Sequence, residues 1–463
     1  MAGGRRSKRV PAMHTTTVAK TLITPDDARY DEARAGFNLV ADLRPAAIAL
    51  PETVEDVVAA VEYAKAHGLR VAPQSTGHNG SAYASVEDAL LVKMTNMRGA
   101  EVDVANRTAR ALGGSRWEDV TAETAGTGLV ALHGSSPDVG VVGYSLGGGM
   151  GWLARKHGLQ ANSVTAVELV TADAEVVRAD AETNADLFWA LRGGNGGNFG
   201  VVTAIEFALH PIGDLYAGWL IYPWERSAEV IKTWNALLPT LPDEMTSVMR
   251  VMQLPPLPEL PEHLRGAQIT IIEAAFLGTQ ADGEALLAPL RDLGPVGDTF
   301  AAVGPEALHD LHQDPRDPVP GMSTSQLLGD LDDDTIDEIL RHVGPGSNSP
   351  LLAFELRHLG GALGRPAAGA GALPALEGTF AMFAIGIPFD ADVAAAIHSA
   401  GERLTAALAA HDRGRYLNFT ENPVDTKVAY SEAAYARLQA VKAAWDGENV
   451  LSANHPICPG VEA

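Results

Sequence analysis

The 463-residue chain contains a single cysteine, Cys458. One thiol excludes internal disulfides and cysteine-based metal clusters, and it fits a reducing cytoplasm. Positive charge is also scarce: 34 Lys and Arg stand against 58 Asp and Glu, a formal net charge of −24. Four of those basic residues (Arg5, Arg6, Lys8, Arg9) fall in the first thirteen, so the remainder is more acidic still. Such a surface repels phosphate backbones and argues against a nucleic-acid partner. No apolar run approaches the roughly eighteen residues of a membrane span. The adjacent Arg5 and Arg6 are not followed by an apolar stretch, so no export signal is expected. Residues 1–24 read as a poorly ordered tail, with Met13 as an alternative start.

What is present is globular: 46% hydrophobic and 20% charged residues, arranged at helix and strand periods. Residues 25 to 45 read as a helical lead-in. Thr53-Val-Glu-Asp56 opens an amphipathic helix with a capping-box pair, and Gly68 stops it. A strand, Leu69 to Ala72, runs into the loop Gln74-Ser-Thr-Gly-His-Asn-Gly80. The unit recurs as a helix (Trp117 to Ala125), glycines (Gly126, Gly128) and a strand (Leu129 to Leu132). Residues 164 to 178 predict a hairpin turning at Ala172-Asp-Ala174. After Pro211, strands are expected at 215–223, 246–253, 268–277 and 378–388, with helices between and a proline-rich connector at Pro255–Pro261. A strand, Arg415 to Thr420, and a helix from Ser431 to about Trp445 close the chain.

Several chemistries are weak. The lone G-x-G-x-x-[GA] match, Gly126 to Ala131, lies between a helix and a strand, the reverse of a dinucleotide fingerprint. Gly143-Tyr-Ser145-Leu-Gly147, after a strand-like VGVV and before a helix, fits a serine-hydrolase elbow, with His455 and Asp425 in suitable chain order. His309 and His312 have helical spacing but no third metal ligand, and read as exposed polar residues. Asp330 to Asp334 lacks the later positions of a calcium loop and reads as an acidic helix start. No metal is expected. What remains is three glycine-rich loops with little positive charge: 74–80, 140–151 and 193–200. Successive backbone N–H groups in such loops can cradle a diphosphate without lysine.

The segments RPAAIALPETVEDVVAAVEYAKAHGLRVAPQSTGHNG, VGVVGYSLGGGMGWLARKHGL, DLFWALRGGNGGNFGVVT, RYLNFT and WDGENVLSANHPI occur in this order. Together they resemble the FAD-linked oxidases of the vanillyl-alcohol oxidase superfamily, in the berberine-bridge-enzyme-like branch. The likeness is good over 44–210, moderate over 410–457 and loose between, where FELRHLGGALGR is its clearest piece.

The resemblance implies an α+β fold, with a two-subdomain FAD-binding domain and a substrate domain whose antiparallel sheet is covered by helices. The expected division is 25–211 for FAD, 212–409 for substrate, and 410–463 returning to the FAD domain. It implies FAD contacts at Gln74, Ser75, Thr76, Gly77, His78, Asn79, Gly80, Ser136, Val139, Gly140, Gly143, Gly148, Gly200, Val202 and Asn418. His78 falls where the family attaches flavin covalently. Ser136 stands before Pro137, where some relatives carry a second, cysteinyl link, so one bond is expected. Val139 occupies the oxygen-gate position that tends to be valine in oxidases. Tyr416 matches the base of the family's Tyr-x-Asn, with Glu355 as a second candidate base or substrate contact and Tyr144 as a pocket residue. The implied reaction is oxidation of a small alcohol or amine, hydride passing to flavin N5 and oxygen yielding hydrogen peroxide. A cytoplasmic protein, possible as a homodimer, is expected.

Overall fold

The computed structural model describes residues 22–256, 262 and 265–460. The expected tail lies outside these residues apart from 22–24, where Ile23 bridges Ile48. Most of the proline-rich connector is outside them too.

Three parallel strands form the first sheet, in the order Ala47–Ala49, Ala89–Lys93, Arg70–Gln74. The helix Val54–Ala66 crosses between the first and last of these. Its start is the expected capping box: Thr53 Oγ1 accepts from the Asp56 N–H, and the Asp56 carboxylate accepts from the Thr53 N–H. Val57 and Val61 pack on Val71, Leu90 and Val92, and Gly68, at φ +66°, ends the helix. The strand Arg70–Gln74 therefore delivers the loop 74–80 at its C-terminal end, the usual ligand side of a parallel sheet.

A five-stranded antiparallel sheet follows, in the order Ala100–Asp103, Thr108–Leu112, Val201–Ala208, Val164–Val170, Val176–Asp180. Its last pair is the predicted hairpin, and Ala174 takes a positive φ in the turn. Trp117, fully buried, packs edge-on against Phe207 and Tyr144 and ties this sheet to the glycine-rich segment.

Residues beyond 211 build a larger antiparallel sheet, in the order Gly297–Asp298, Leu215–Pro223, Gln268–Leu277, Met245–Gln253, Ala353–His358, Phe380–Gly386, Met322–Leu328. Helices Ser227–Leu237, Gln280–Arg291, Asp333–Val343 and Ala391–Ala407 pack over one face. Period-two alternation sends Phe354 and Leu356 into that helix-covered core and leaves Glu355 and Arg357 for the other face. The last residues return to the first sheet, where the Val71 N–H donates to the Val450 carbonyl and the Val71 carbonyl accepts from Ser452.

Local expectations fail in five places. The lead-in 25–45 is helical only over Tyr30–Arg34. The strand-like VGVV begins a helix, Val141–Leu146, instead. Met322–Leu328 and Ala353–His358 are strands although polar residues interrupt their apolar pattern. Arg415–Thr420 is not a strand: Leu417–Phe419 is a 3-10 turn closed by Phe419 N–H to the Tyr416 carbonyl.

Candidate active site

Every expected cofactor or catalytic residue except Gly148 lines one cavity of about 350 Å³. The loop 74–80 forms one wall, Gly134 to Met150 a second, Asn195 to Val202 a third, and Glu355, Arg357, Phe383 and Tyr416 to Glu421 close the far end. Gly77 has φ +79°, and a Cβ there would stand 2.8 Å from Gly36 Cα, so the loop needs glycine for both reasons. Gly143 has nothing within 4 Å of where its Cβ would be, leaving its backbone open to the cavity.

The loop wall carries polar atoms that the described protein does not satisfy. Both side-chain atoms of Gln74, Ser75 Oγ and Asn79 Oδ1 are buried without a hydrogen-bond partner. Orphaned groups of this kind cost about 1–3 kcal/mol each, so the wall suits a polar ligand bearing acceptors and donors. His78 stacks on Phe37 with ring centroids 3.9 Å apart, its Nδ1 2.7 Å from Thr76 Oγ1. Ser136 Oγ donates to Asp314 at 2.5 Å, and Val139 lines the cavity three residues on.

At the far end, Tyr416 is buried and its phenolic oxygen accepts hydrogen bonds from the Gly149 N–H (2.9 Å) and Asn418 Nδ2 (3.0 Å). The turn at 417–419 thus brings Tyr416 and Asn418 together as closely as a strand would have. Burial pushes the Tyr416 phenol up to about 12, while the N–H groups of Gly149, Asn418 and Met150 and the positive charge of Arg357 pull it down. Gly148, at φ +122°, packs beside the Tyr416 ring, where a Cβ would come within 3.2 Å. Its place is therefore against tyrosine rather than on the cavity wall. Tyr144 donates its hydroxyl to the Leu132 carbonyl (3.1 Å), and burial holds that phenol well above its ordinary range. It forms wall rather than acid–base machinery.

Glu355 requires a correction. Arg357 Nε lies 2.8 Å from one carboxylate oxygen and His312 Nε2 3.0 Å from the other. Burial alone would raise this carboxyl, but Arg357 and His312 hold it far below the ordinary range. So stabilised an anion is a poor proton acceptor, and only the substrate-contact reading stays open. His312, expected to be exposed, is buried between Glu273 (2.5 Å) and Glu355. Burial and Arg250 lower its pKa, but Glu273 and Asp314 outweigh them and bring it to about 9.

The hydrolase geometry is absent. Ser145 is fully buried and its Oγ has no partner among the described residues. His455 donates Nε2 to the Thr420 carbonyl at 2.8 Å, and Asp425 caps the turn at Lys427.

Arg357, Asp314, Phe383, Phe419 and Glu421 also line the cavity, although none was singled out in the sequence. Arg357 shares a strand face with Glu355 by two-residue spacing, and that signal could have found it. Its guanidinium lies 4.9 Å over the Phe419 ring. Burial raises the Glu421 carboxyl to about 7, against a hydrogen bond from Ser323 that lowers it.

Residues 45–180 match the family model described as an FAD binding domain. The chain therefore carries an FAD binding domain and is similar to FAD-linked oxidoreductases. Among its relatives is the FAD-linked oxidoreductase YvdP of Bacillus subtilis, 26% identical over 96% of this chain and 100% of the relative. The chain is 32% identical to the (R)-6-hydroxynicotine oxidase of Paenarthrobacter nicotinovorans, over 60% of each chain, so it spans about three fifths of that relative's length. The solved 6-hydroxy-D-nicotine oxidase from Arthrobacter nicotinovorans superposes with a TM-score of 0.82 at 25% identity, over 95% of this chain and 98% of the other. The fold class expected from the sequence is thereby established. FAD is the cofactor of the matched domain, and the unsatisfied polar wall and open backbone at Gly143 fit it.

Proposed function

We propose that this protein is an oxidase of a small-molecule alcohol or amine, with Tyr416 as the proton acceptor and FAD held along the loops 74–80, 134–146 and 195–202. The observation that carries the reading is the phenolic oxygen of Tyr416, which takes two N–H donors inside the cavity that the flavin loops line. Donors aimed at a phenol oxygen favour its anion, and Arg357 adds a positive charge in the same sense. Tyr416 accepts the proton of the substrate's O–H or N–H, which raises the hydridic character of the neighbouring C–H bond. FAD, when bound, supplies the two-electron acceptor and passes the electrons to oxygen, giving hydrogen peroxide.

The remaining residues bind and orient. Gln74, Ser75 and Asn79 supply polar contacts to the cofactor, Asn418 fixes the tyrosine, and Phe383 and Phe419 present apolar surface to the substrate. His78 makes one covalent bond to the flavin, and Ser136, a serine bonded to Asp314, makes none. Val139 leaves room for oxygen. The oxidase name of the 6-hydroxynicotine relative supports the acceptor and a small substrate. The single, exposed Cys458 suits a cytoplasmic setting.

Anaerobic bleaching of the bound flavin by a panel of alcohols and amines tests the reading. Tyr416→Phe should slow bleaching by the best substrate about 10²- to 10⁴-fold, the range of positioned acid–base catalysis. An unchanged rate removes Tyr416 from the reaction. Acid precipitation of the wild type should leave the flavin with the protein, and release into the supernatant contradicts the bond at His78.

A further inference from the structure

Asp138 is 5% exposed, and neither carboxylate oxygen has a hydrogen-bond partner among the described residues. Its backbone is clamped on both sides. The Pro137 and Val139 carbonyls accept from the Glu118 and Trp117 N–H groups, at 2.8 and 3.1 Å, in the first turn of the helix Trp117–Thr124. The side chain that faces it is His78, whose Nε2 stands 3.3 Å from Asp138 Oδ2 but is not aligned as a hydrogen bond. An uncompensated buried carboxylate costs several kcal/mol. A turn that needed only its shape would be better served by a neutral side chain.

The histidine is held from three sides. Phe37 stacks on its ring, with planes 11° apart, Thr76 Oγ1 meets Nδ1, and Asp138 faces Nε2. A carboxylate at Nε2 draws the imidazole proton to that nitrogen and leaves the lone pair on Nδ1, where the Thr76 hydroxyl donates to it.

We infer that Asp138 is the positioning residue for covalent flavin attachment, orienting His78 and taking its Nε2 proton as Nδ1 forms the bond. The inference rests on the reading above that His78 carries that bond. One C–N bond forms between His78 Nδ1 and the flavin 8α carbon, and one C–H bond of the 8α methyl breaks as a proton. The imidazole N–H proton passes through Asp138 to solvent. The two electrons left over, with the two protons, reduce one molecule of dioxygen to hydrogen peroxide.

The test compares flavin-loaded wild type, D138N, D138E and His78→Ala, measuring total bound flavin by absorbance and the covalent share by acid precipitation and the intact mass of the chain. His78→Ala should bind FAD with no covalent share. D138N should bind FAD with the covalent share formed in a fixed time lowered at least tenfold, and D138E should recover most of it. Attachment by D138N at the wild-type rate overturns the inference, as does a D138E protein that binds FAD but attaches it no faster than D138N. Asp138→Ser is the second variant and is read as D138N is. If neither holds FAD, Asp138 acts through folding and the inference fails. Wild type that binds FAD wholly without a covalent bond is a separate outcome, which defeats the His78 reading itself.

Discussion

Arg357 adds a lesser pull on the Tyr416 phenol, behind burial and the N–H groups of Gly149, Asn418 and Met150. Burial and donors oppose one another at the phenol, and the net position near 12 leaves little anion at neutral pH. For a base whose pKa lies above the working range, the rate rises about tenfold per pH unit until the pKa is reached. Removing the Arg357 charge moves that pKa further up, so Arg357→Met should shift the rising limb of the pH–rate profile for flavin bleaching to higher pH. Arg357→Lys should shift it less. Coincident profiles for wild type and Arg357→Met would show that the cation has no hold on the tyrosine. Glu355 illustrates the same point in reverse: a carboxylate that looks like a base in the sequence is saturated by Arg357 and His312.

At the scale of elements, the site depends on how closely one loop passes another. The helix Val141–Leu146 ends at Gly147, where a Cβ would lie within bonding distance of Asn418 Oδ1. Gly147→Ala should therefore leave the distant sheets intact but push Asn418 off the Tyr416 oxygen. The expected result is a folded, flavin-containing protein with bleaching slowed by about tenfold or more, the loss of one hydrogen bond to a charged group being worth about 1.5–3 kcal/mol. Normal bleaching in that variant would show that Asn418 does not set the tyrosine. The four-residue spacing and the glycines of this segment are legible in the sequence. Its conformation is not, because VGVV has a strand's composition and only the packing of Val141, Val142 and Leu146 against the five-stranded sheet makes it a helix.

At the scale of the molecule, the large sheet hides a charged layer beneath the end of the cavity lined by Glu355 and Arg357. Arg250 and Glu355 are cross-strand neighbours, Glu273 lies on the next strand, and His312 arrives from a loop to join both carboxylates. His312 is raised from an ordinary value near 6.5 to about 9, so it binds its proton more tightly folded than unfolded. Its contribution to stability is full below about pH 6.5 and is lost as pH rises through 9. Thermal unfolding should show a falling midpoint from about pH 7 to 10 in the wild type, and a flatter profile in His312→Gln. That variant should also be less stable at pH 6 by about 3–5 kcal/mol, the usual cost of stripping one partner from a buried charge network. Parallel pH profiles would assign the alkaline loss to other groups.

The amino-acid sequence alone determined the local units whose signals are short in range. The Thr53 capping box and the hairpin predicted over 164–178 stand where their residues place them, because caps and turns are set within a few positions. The order of the motifs quoted from the sequence was enough to point to an FAD-linked oxidoreductase. Tertiary structure decided which polar residues face which. Tyr416 meets the Gly149 N–H across 267 positions, His312 settles between two carboxylates on separate strands, and the Asp138 carboxylate comes to rest against His78 with no hydrogen-bond partner among the described residues. Charges interact through space and burial, and neither is written in the spacing of residues along a chain.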